Sequence, residues 1–335
     1  MTIRLRRSCA SQVRVVSLIV AVIGLSVLLT PRGVWAQGPP EHPSVTVHGQ
    51  VYTPRSILAR NMGSDADQTT AFMPHKVIGN IYYVGTRTLS TFLIVTPQGN
   101  ILFDTSQEPF VDMIEANIKK IGVDPHSIKY IILNHGHTDH FGGAKRLQEF
   151  TGARVMATPE DWKMIEATAG KPNNRDNNKP TDVPKHDMDV HEGDHIDLGD
   201  QHLIVHTAPG HTPGNLFIEG LVLHDGAQTY RGIWGGGGLG APGLAGAEQG
   251  VKNAEKLNAV KGIQVYVMTH AWQDPNGYPG GGVHERAKKL AMRKPGDPHP
   301  FVDPATWDAR AKRQLEQAKK VLADEQAKAS ATKKN

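Results

Sequence analysis

The sequence predicts an α/β fold. Short strand-like apolar runs alternate with amphipathic helical patterns in both halves of the chain. Turn-forming residues separate the runs. Of the 335 residues, 39% are hydrophobic and 21% charged, which is too apolar for a disordered chain and too varied for a fibrous one.

Each element follows in order. Residues 37–70 mix Pro, Gly, Ser and Asp and read as a loosely structured segment with one strand over 45–51. Strands follow over 81–84, 91–96 and 101–104, with Pro97-Gln98-Gly99-Asn100 marking a hairpin turn. A helix over 108–121 comes next, because Phe110, Ile114, Ile118 and Ile121 recur at spacings of four, four and three and share one face. Gly122 can end it. A short buried strand over 130–133 opens into Asn134-His135. A helix over 143–150, a strand over 154–157 and a helix started by Pro159 follow.

Residues 170–187 are rich in Asn and Pro and read as a long exposed loop. Strands resume over 195–198, 202–207 and 216–224, and Asp225-Gly226 signals a hairpin to a return strand over 229–234. A glycine-rich stretch (235–246), a helix over 248–260 and a strand over 264–268 lead to Thr269-His270. A helix from Pro304 to about Glu325 and a Lys-rich solvated tail complete the chain.

The first 36 residues resemble a secretory signal. Arg4, Arg6, Arg7, Arg14 and Arg32 are its only charges, an apolar run covers 15–29, and Val34-Trp35-Ala36 places small residues at a cut after Ala36. At ~1.5 Å per residue the run spans roughly 22 Å, short of a ~30 Å hydrocarbon core, so cleavage is expected rather than a lasting membrane anchor. The expected location is periplasmic or secreted. Removing the five arginines from the net charge of +4 leaves −1, which gives no electrostatic case for nucleic acid. Cys9 is the single cysteine and would leave with the signal, so any metal must be held by imidazole and carboxylate.

The strongest chemical signal is Asn134-His135-Gly136-His137-Thr138-Asp139-His140, directly after a buried strand. Three imidazoles and a carboxylate packed together without metal would carry desolvation costs and unmet hydrogen-bonding groups. In an extended stretch His135 and His137 point the same way. Asp139 and His140 then lie on the turn into a helix and can face a second ion nearby. His211, in Pro209-Gly210-His211-Thr212-Pro213-Gly214, and His270 each follow a strand and can join the same site, because such sheets gather functional groups at strand ends.

These motifs, together with Phe103-Asp104-Thr105 at the end of an early strand, resemble the metallo-β-lactamase superfamily over most of the mature chain. The likeness is greatest to the lactamase subclass that uses no metal-binding cysteine. The resemblance implies an αββα sandwich over residues 71–335, with two zinc ions at one edge. It implies that His135, His137 and His211 bind the first zinc, and that Asp139, His140 and His270 bind the second. Asp104 would stand behind them, orienting a ligand or the site loop. Nitrogen-rich sets with one carboxylate suit zinc, which brings its bound water to a pKa of ~7. The expected activity is therefore hydrolysis of a small carbonyl substrate, such as a β-lactam, by a metal-bound hydroxide, with Asp139 as the proton-handling catalytic group.

The same resemblance separates neighbouring chemistries. Diiron relatives typically carry Glu where His137 stands. Glyoxalase-type and many lactonase relatives carry a bridging aspartate, for which Asp225 is the nearby candidate. Asp225 lies in a hairpin turn, so that ligand is read as absent. The lactamases carry carboxylate-binding serines where this chain has Gly235-Gly236-Gly237-Gly238, and the segment 293–301 resembles an exported branch of the superfamily. A lactone, ester, thioester or phosphoester is therefore an alternative substrate, and a non-catalytic periplasmic metal- or ligand-binding protein is the alternative outside enzymes. Trp234, Gly235, Gly236 and Trp272 are candidates to line the pocket, with ordinary packing the competing account of the tryptophans. His186, His191 and His195 read as a solvated loop, His202 and His206 as packing or surface, and His224 as a candidate support for a ligand.

Overall fold

A computed structural model describes residues 70–173, 176, 178–271 and 282–332, and the backbone of two short strands. These are β1 (Val45–Val47) and β2 (Gln50–Tyr52), an antiparallel pair where the sequence predicts one strand. The leader with its apolar run and Cys9 lies outside the described residues. Among the described residues no helix is long and apolar enough to cross a membrane.

β3 (His75–Ile78), β4 (Ile81–Tyr83), β5 (Phe92–Thr96) and β6 (Gly99–Phe103) form an antiparallel meander. The turn into β6 is tighter than expected, since Gly99 already pairs with Thr96. α1 (Val111–Lys120) crosses to β7 (Ile128–Ile132), which runs parallel to β6. α2 (Thr138–Phe141) and α3 (Ala144–Thr151) lead to β8 (Arg154–Ala157), parallel to β7, and α4 (Pro159–Glu166) follows. The expected long loop contains a small antiparallel pair, β9 (Pro172–Asn173) and β10 (Lys179–Pro180), before β11 (Met188–Asp189) joins β8. The first sheet therefore has the order β11-β8-β7-β6-β5-β4-β3.

The second sheet is a meander of β12 (His195–Leu198), β13 (Gln201–Thr207), β14 (Leu216–Asp225) and β15 (Gln228–Gly235). α5 (Leu244–Ala259) then returns the chain to β16 (Val265–Val267), parallel to β15. α6 (Val283–Ala291) was not legible in the sequence, because it buries only Val283 fully. α7 (Pro304–Thr332) is longer than expected and takes in most of the Lys-rich tail. It docks through Thr306, Trp307 and Ala311.

Side-chain alternation along the strands builds the layers. Phe92, Ile94, Ile101, Phe103 and Ile132 point inward and meet Leu203, Val205, Leu216, Ile218 and Trp234 of the second sheet. Leu93, Leu102 and Ile131 point outward and pack on Ile114, Ile118, Leu147, Trp162 and Ile165. On the far side Phe217, Ile233 and Tyr266 pack on Ala254, Leu257 and Trp307. Both sheets are thus covered on both faces, which makes an αββα sandwich.

A charged cluster ties the second sheet to α5. Glu192 accepts from Thr207 N–H at 2.7 Å, Thr207 Oγ1 at 2.9 Å and Lys256 Nζ at 2.5 Å. His206 lies between Glu192 (3.4 Å) and Glu219 (2.6 Å), and Arg231 also pairs with Glu219. Burial disfavours the charged imidazole, but the hydrogen bonds and charges of Glu192 and Glu219 outweigh it and raise His206 to about 9. A group whose pKa rises on folding gives its full stabilisation below its unfolded value of ~6.5 and loses it as pH rises through the folded value. The urea midpoint is therefore expected to fall between about pH 6.5 and 9. His206→Gln should flatten that slope, and equal slopes in the two proteins would show that the imidazole is neutral in the fold.

Candidate metal centre

The loop after β7 is fixed before it reaches its first histidine. Asn134 N–H donates to Asp104 Oδ1 at 2.8 Å, and the Asn134 carbonyl and side-chain amide bond the backbone of Leu216 at 3.1 and 2.5 Å. This joins the end of β7 to the start of β14 in the other sheet. His135 Nδ1 lies 2.7 Å from Asn134 Oδ1, so the ring donates there and turns Nε2 toward His137 Nδ1, 3.0 Å away. His137 caps α2, its carbonyl accepting from His140 N–H and Phe141 N–H at 2.9 and 3.1 Å. Asp139 and His140 occupy the first turn of α2, as the spacing predicts.

Asp104 orients His140, accepting from Nδ1 at 2.7 Å. Thr105 donates to the His140 carbonyl through both its N–H and its Oγ1, each at 2.8 Å. Asp104 and Ser106 hold φ of 56° and 58°, a left-handed conformation that costs free energy in non-glycine residues. The price is consistent with a loop shaped for its role behind the site.

His211 and His270 arrive from the second sheet. His211 lies between β13 and β14, and its N–H donates to the Gly238 carbonyl at 3.0 Å. His270 follows β16 and bridges to Leu89. Two groups result: His135, His137 and His211, and Asp139, His140 and His270, each with ligand atoms within 4.8 Å of one another. Asp139 Oδ2 lies 3.6 Å from His140 Nε2 and 3.8 Å from His270 Nε2. The groups adjoin, with the His135 and His140 ring centroids 3.9 Å apart.

The donor set fits divalent metal. Burial comes first, and then the neighbouring His140, His211, His137 and His270, in holding His135 well below the usual imidazole range. Its ring is therefore neutral and can offer a lone pair at neutral pH. Five imidazoles and one carboxylate suit zinc more than a hard oxygen-seeking cation.

Other expectations are redrawn. Trp234 is 0% exposed and stacks on Phe103 in the core, with centroids 4.3 Å apart, so it packs the sandwich and lines no open pocket. Gly235 and Gly236 are buried as well. A Cβ on Gly236 would lie 2.2 Å from Thr269 Oγ1, and one on Gly237, at φ +103°, 2.6 Å from Asn215 Oδ1. Close backbone approach therefore requires these glycines, and no serine fits there without displacing its neighbours. Gly238 faces open space. Trp272 lies outside the described residues. Asp225 pairs with Arg293 at 3.0 Å at the opposite end of β14 from the metal loops. His224 lies at that same end, bonded to Asp200, and supports no ligand. His186 bonds Glu166 and Asp189 and stacks on Trp162.

Two residues that matter here were given no role by the sequence. Asn134 opens the histidine motif as an ordinary polar residue. Asp161 reads as a first-turn helix acid, yet it accepts from Gly136 N–H, Thr212 Oγ1 and Gly214 N–H.

An αββα sandwich with two adjoining three-ligand groups at one edge defines a metal-binding protein. Residues 84–222 match the family description Metallo-beta-lactamase superfamily. The subclass B3 metallo-β-lactamase BJP-1 of Bradyrhizobium japonicum is 31% identical, with a TM-score of 0.63 over 78% of this chain and 97% of that one. The native FEZ-1 metallo-β-lactamase from Legionella gormanii is 27% identical, with a TM-score of 0.63 over 76% and 97%. Hydroxyacylglutathione hydrolase of Pseudomonas putida is 34% identical over 86 residues, which is 26% of this chain and 26% of that enzyme. The match thus spans about a quarter of that curated relative. The chain belongs to the metallo-β-lactamase superfamily.

Proposed function

We propose that the protein is an exported hydrolase that holds two zinc ions and acts on a small carbonyl substrate, with a β-lactam the first to test. The observation that carries this reading is the pair of adjoining three-ligand groups, each drawn from both sheets. His135, His137 and His211 would hold one ion, and Asp139, His140 and His270 the other. Bound zinc supplies a nucleophile at neutral pH and polarises a carbonyl. Asp139 is the one carboxylate in the two groups, and it would orient the attacking water and take its proton. Asn134 and Asp104 hold His135 and His140 in the tautomers that leave Nε2 as the ligand atom. The apolar, arginine-started leader supports export.

The glycine run favours a second reading. Gly236 and Gly237 leave no room for a hydroxyl that would hold a substrate carboxylate, so a lactone, ester, thioester or phosphoester without one is the other substrate class. The two readings separate in one assay. The purified protein is expected to carry about two zinc per chain and to hydrolyse nitrocefin, with loss of turnover on chelation. Turnover confined to lactones or esters would shift the substrate class. No zinc after reconstitution would remove the ligand assignment.

A further inference from the structure

We infer that Asp161 is a positioning residue that sets the spacing of the first three-imidazole group. The inference rests on the metal reading above. His135 and His137 are carried by the loop after β7, in the first sheet. His211 is carried by the loop between β13 and β14, in the second. Asp161, in the first turn of α4, joins the two loops through one carboxylate. Oδ2 accepts from Gly136 N–H at 3.0 Å and Thr212 Oγ1 at 2.8 Å, and Oδ1 accepts from Gly214 N–H at 2.9 Å. Gly136 stands between His135 and His137, and Thr212 follows His211, so two of the three bonds are made one residue from a ligand.

The start of α4 is built as the seat for both loops. Thr158, the cap of α4, donates through Oγ1 to the Gly214 carbonyl at 2.9 Å. A Cβ on Gly214 would lie 1.8 Å from that same Oγ1, so the loop reaches the helix only as glycine. A Cβ on Gly136 would meet Met164 Sδ at 3.2 Å and the Asp161 carbonyl at 3.3 Å. Asp161 is 1% exposed, and its three bonds take the place of the water its carboxylate has lost. Two loops from separate sheets have no covalent reason to hold a fixed distance. The hydrogen bonds of the carboxylate supply that constraint instead. The second group has a support of its own in Asp104, which accepts from His140 Nδ1, and none of the three Asp161 bonds is made to Asp139, His140 or His270.

Asp161→Asn tests this with little change of shape. The amide nitrogen cannot accept, so at least one of the three bonds is lost. The full purified protein, stripped of metal, is titrated with Zn²⁺ in competition with a chromogenic chelator. Wild type should show two binding steps. Asp161→Asn should weaken one of them about 10- to 100-fold and leave the other unchanged. Binding identical to wild type would overturn the inference, and so would equal weakening of both steps, which marks a merely structural role. If Asp161→Asn does not fold, Thr212→Val removes a single bond and should weaken the same step by less, whereas unchanged binding in that variant would overturn the inference. Absence of zinc binding in wild type would overturn the metal reading and this inference with it. Unchanged binding in folded Asp161→Asn alongside two wild-type steps would overturn only the latter.

Discussion

Replacing Asp139 by asparagine is expected to lower kcat by about 10²- to 10⁴-fold, the range of a positioned proton acceptor. Asparagine matches aspartate in shape and keeps one oxygen, but it cannot take a proton. Asp139 is buried at the start of α2, with Oδ2 facing His140 Nε2 and His270 Nε2. Steady-state kinetics on whichever substrate the wild type turns over, with zinc content measured on the same samples, separates the two roles of this carboxylate. A full complement of zinc with a large fall in kcat assigns proton handling to Asp139. Loss of about one zinc per chain assigns it mainly to holding the ion. An unchanged rate would remove it from both.

Trp234→Ala is expected to cost about 3–5 kcal/mol of folding stability, the range for removing a large buried aromatic side chain. For a domain of this size that corresponds to a fall in Tm of roughly 10 °C. The indole is fully buried where the sheets meet, stacked on Phe103 with the rings 11° from parallel. Its N–H has no hydrogen-bond partner among the described residues. Trp234→Phe should therefore cost much less, because it keeps an aromatic ring against Phe103 and removes an unpaired polar atom. Thermal and urea denaturation of the two variants checks this. A small effect of alanine would mean that the sandwich closes over the gap and that Phe103 finds another partner.

What the sequence alone determined is local. Helix period repeats every three to four residues, so the buried face of α1 was legible from Phe110, Ile114 and Ile118, whereas β5, β6 and β7 were legible as strands only through their short apolar runs. The run from His135 to His140 was legible for the same reason: its donors are close in the chain, and a strand end turning into a helix directs them. Short or weakly buried elements gave no such signal. β3 mixes His and Lys with its two buried residues, and α6 buries one side chain fully.

Only the tertiary structure decided what meets across the sheets. His211 and His270 complete the two groups because β14 and β16 lie in the second sheet with their ends beside the loop after β7. Trp234 and Asp225 occupy strand β15 and the end of β14 that pairs with it, yet one is in the core and the other at the far end, paired with Arg293. Asp161 has the sequence context of a helix start, and nothing in that context tells which loops will lie above it. Side-chain period fixes the face of an element, whereas the partner of that face is chosen by packing between segments distant in the chain.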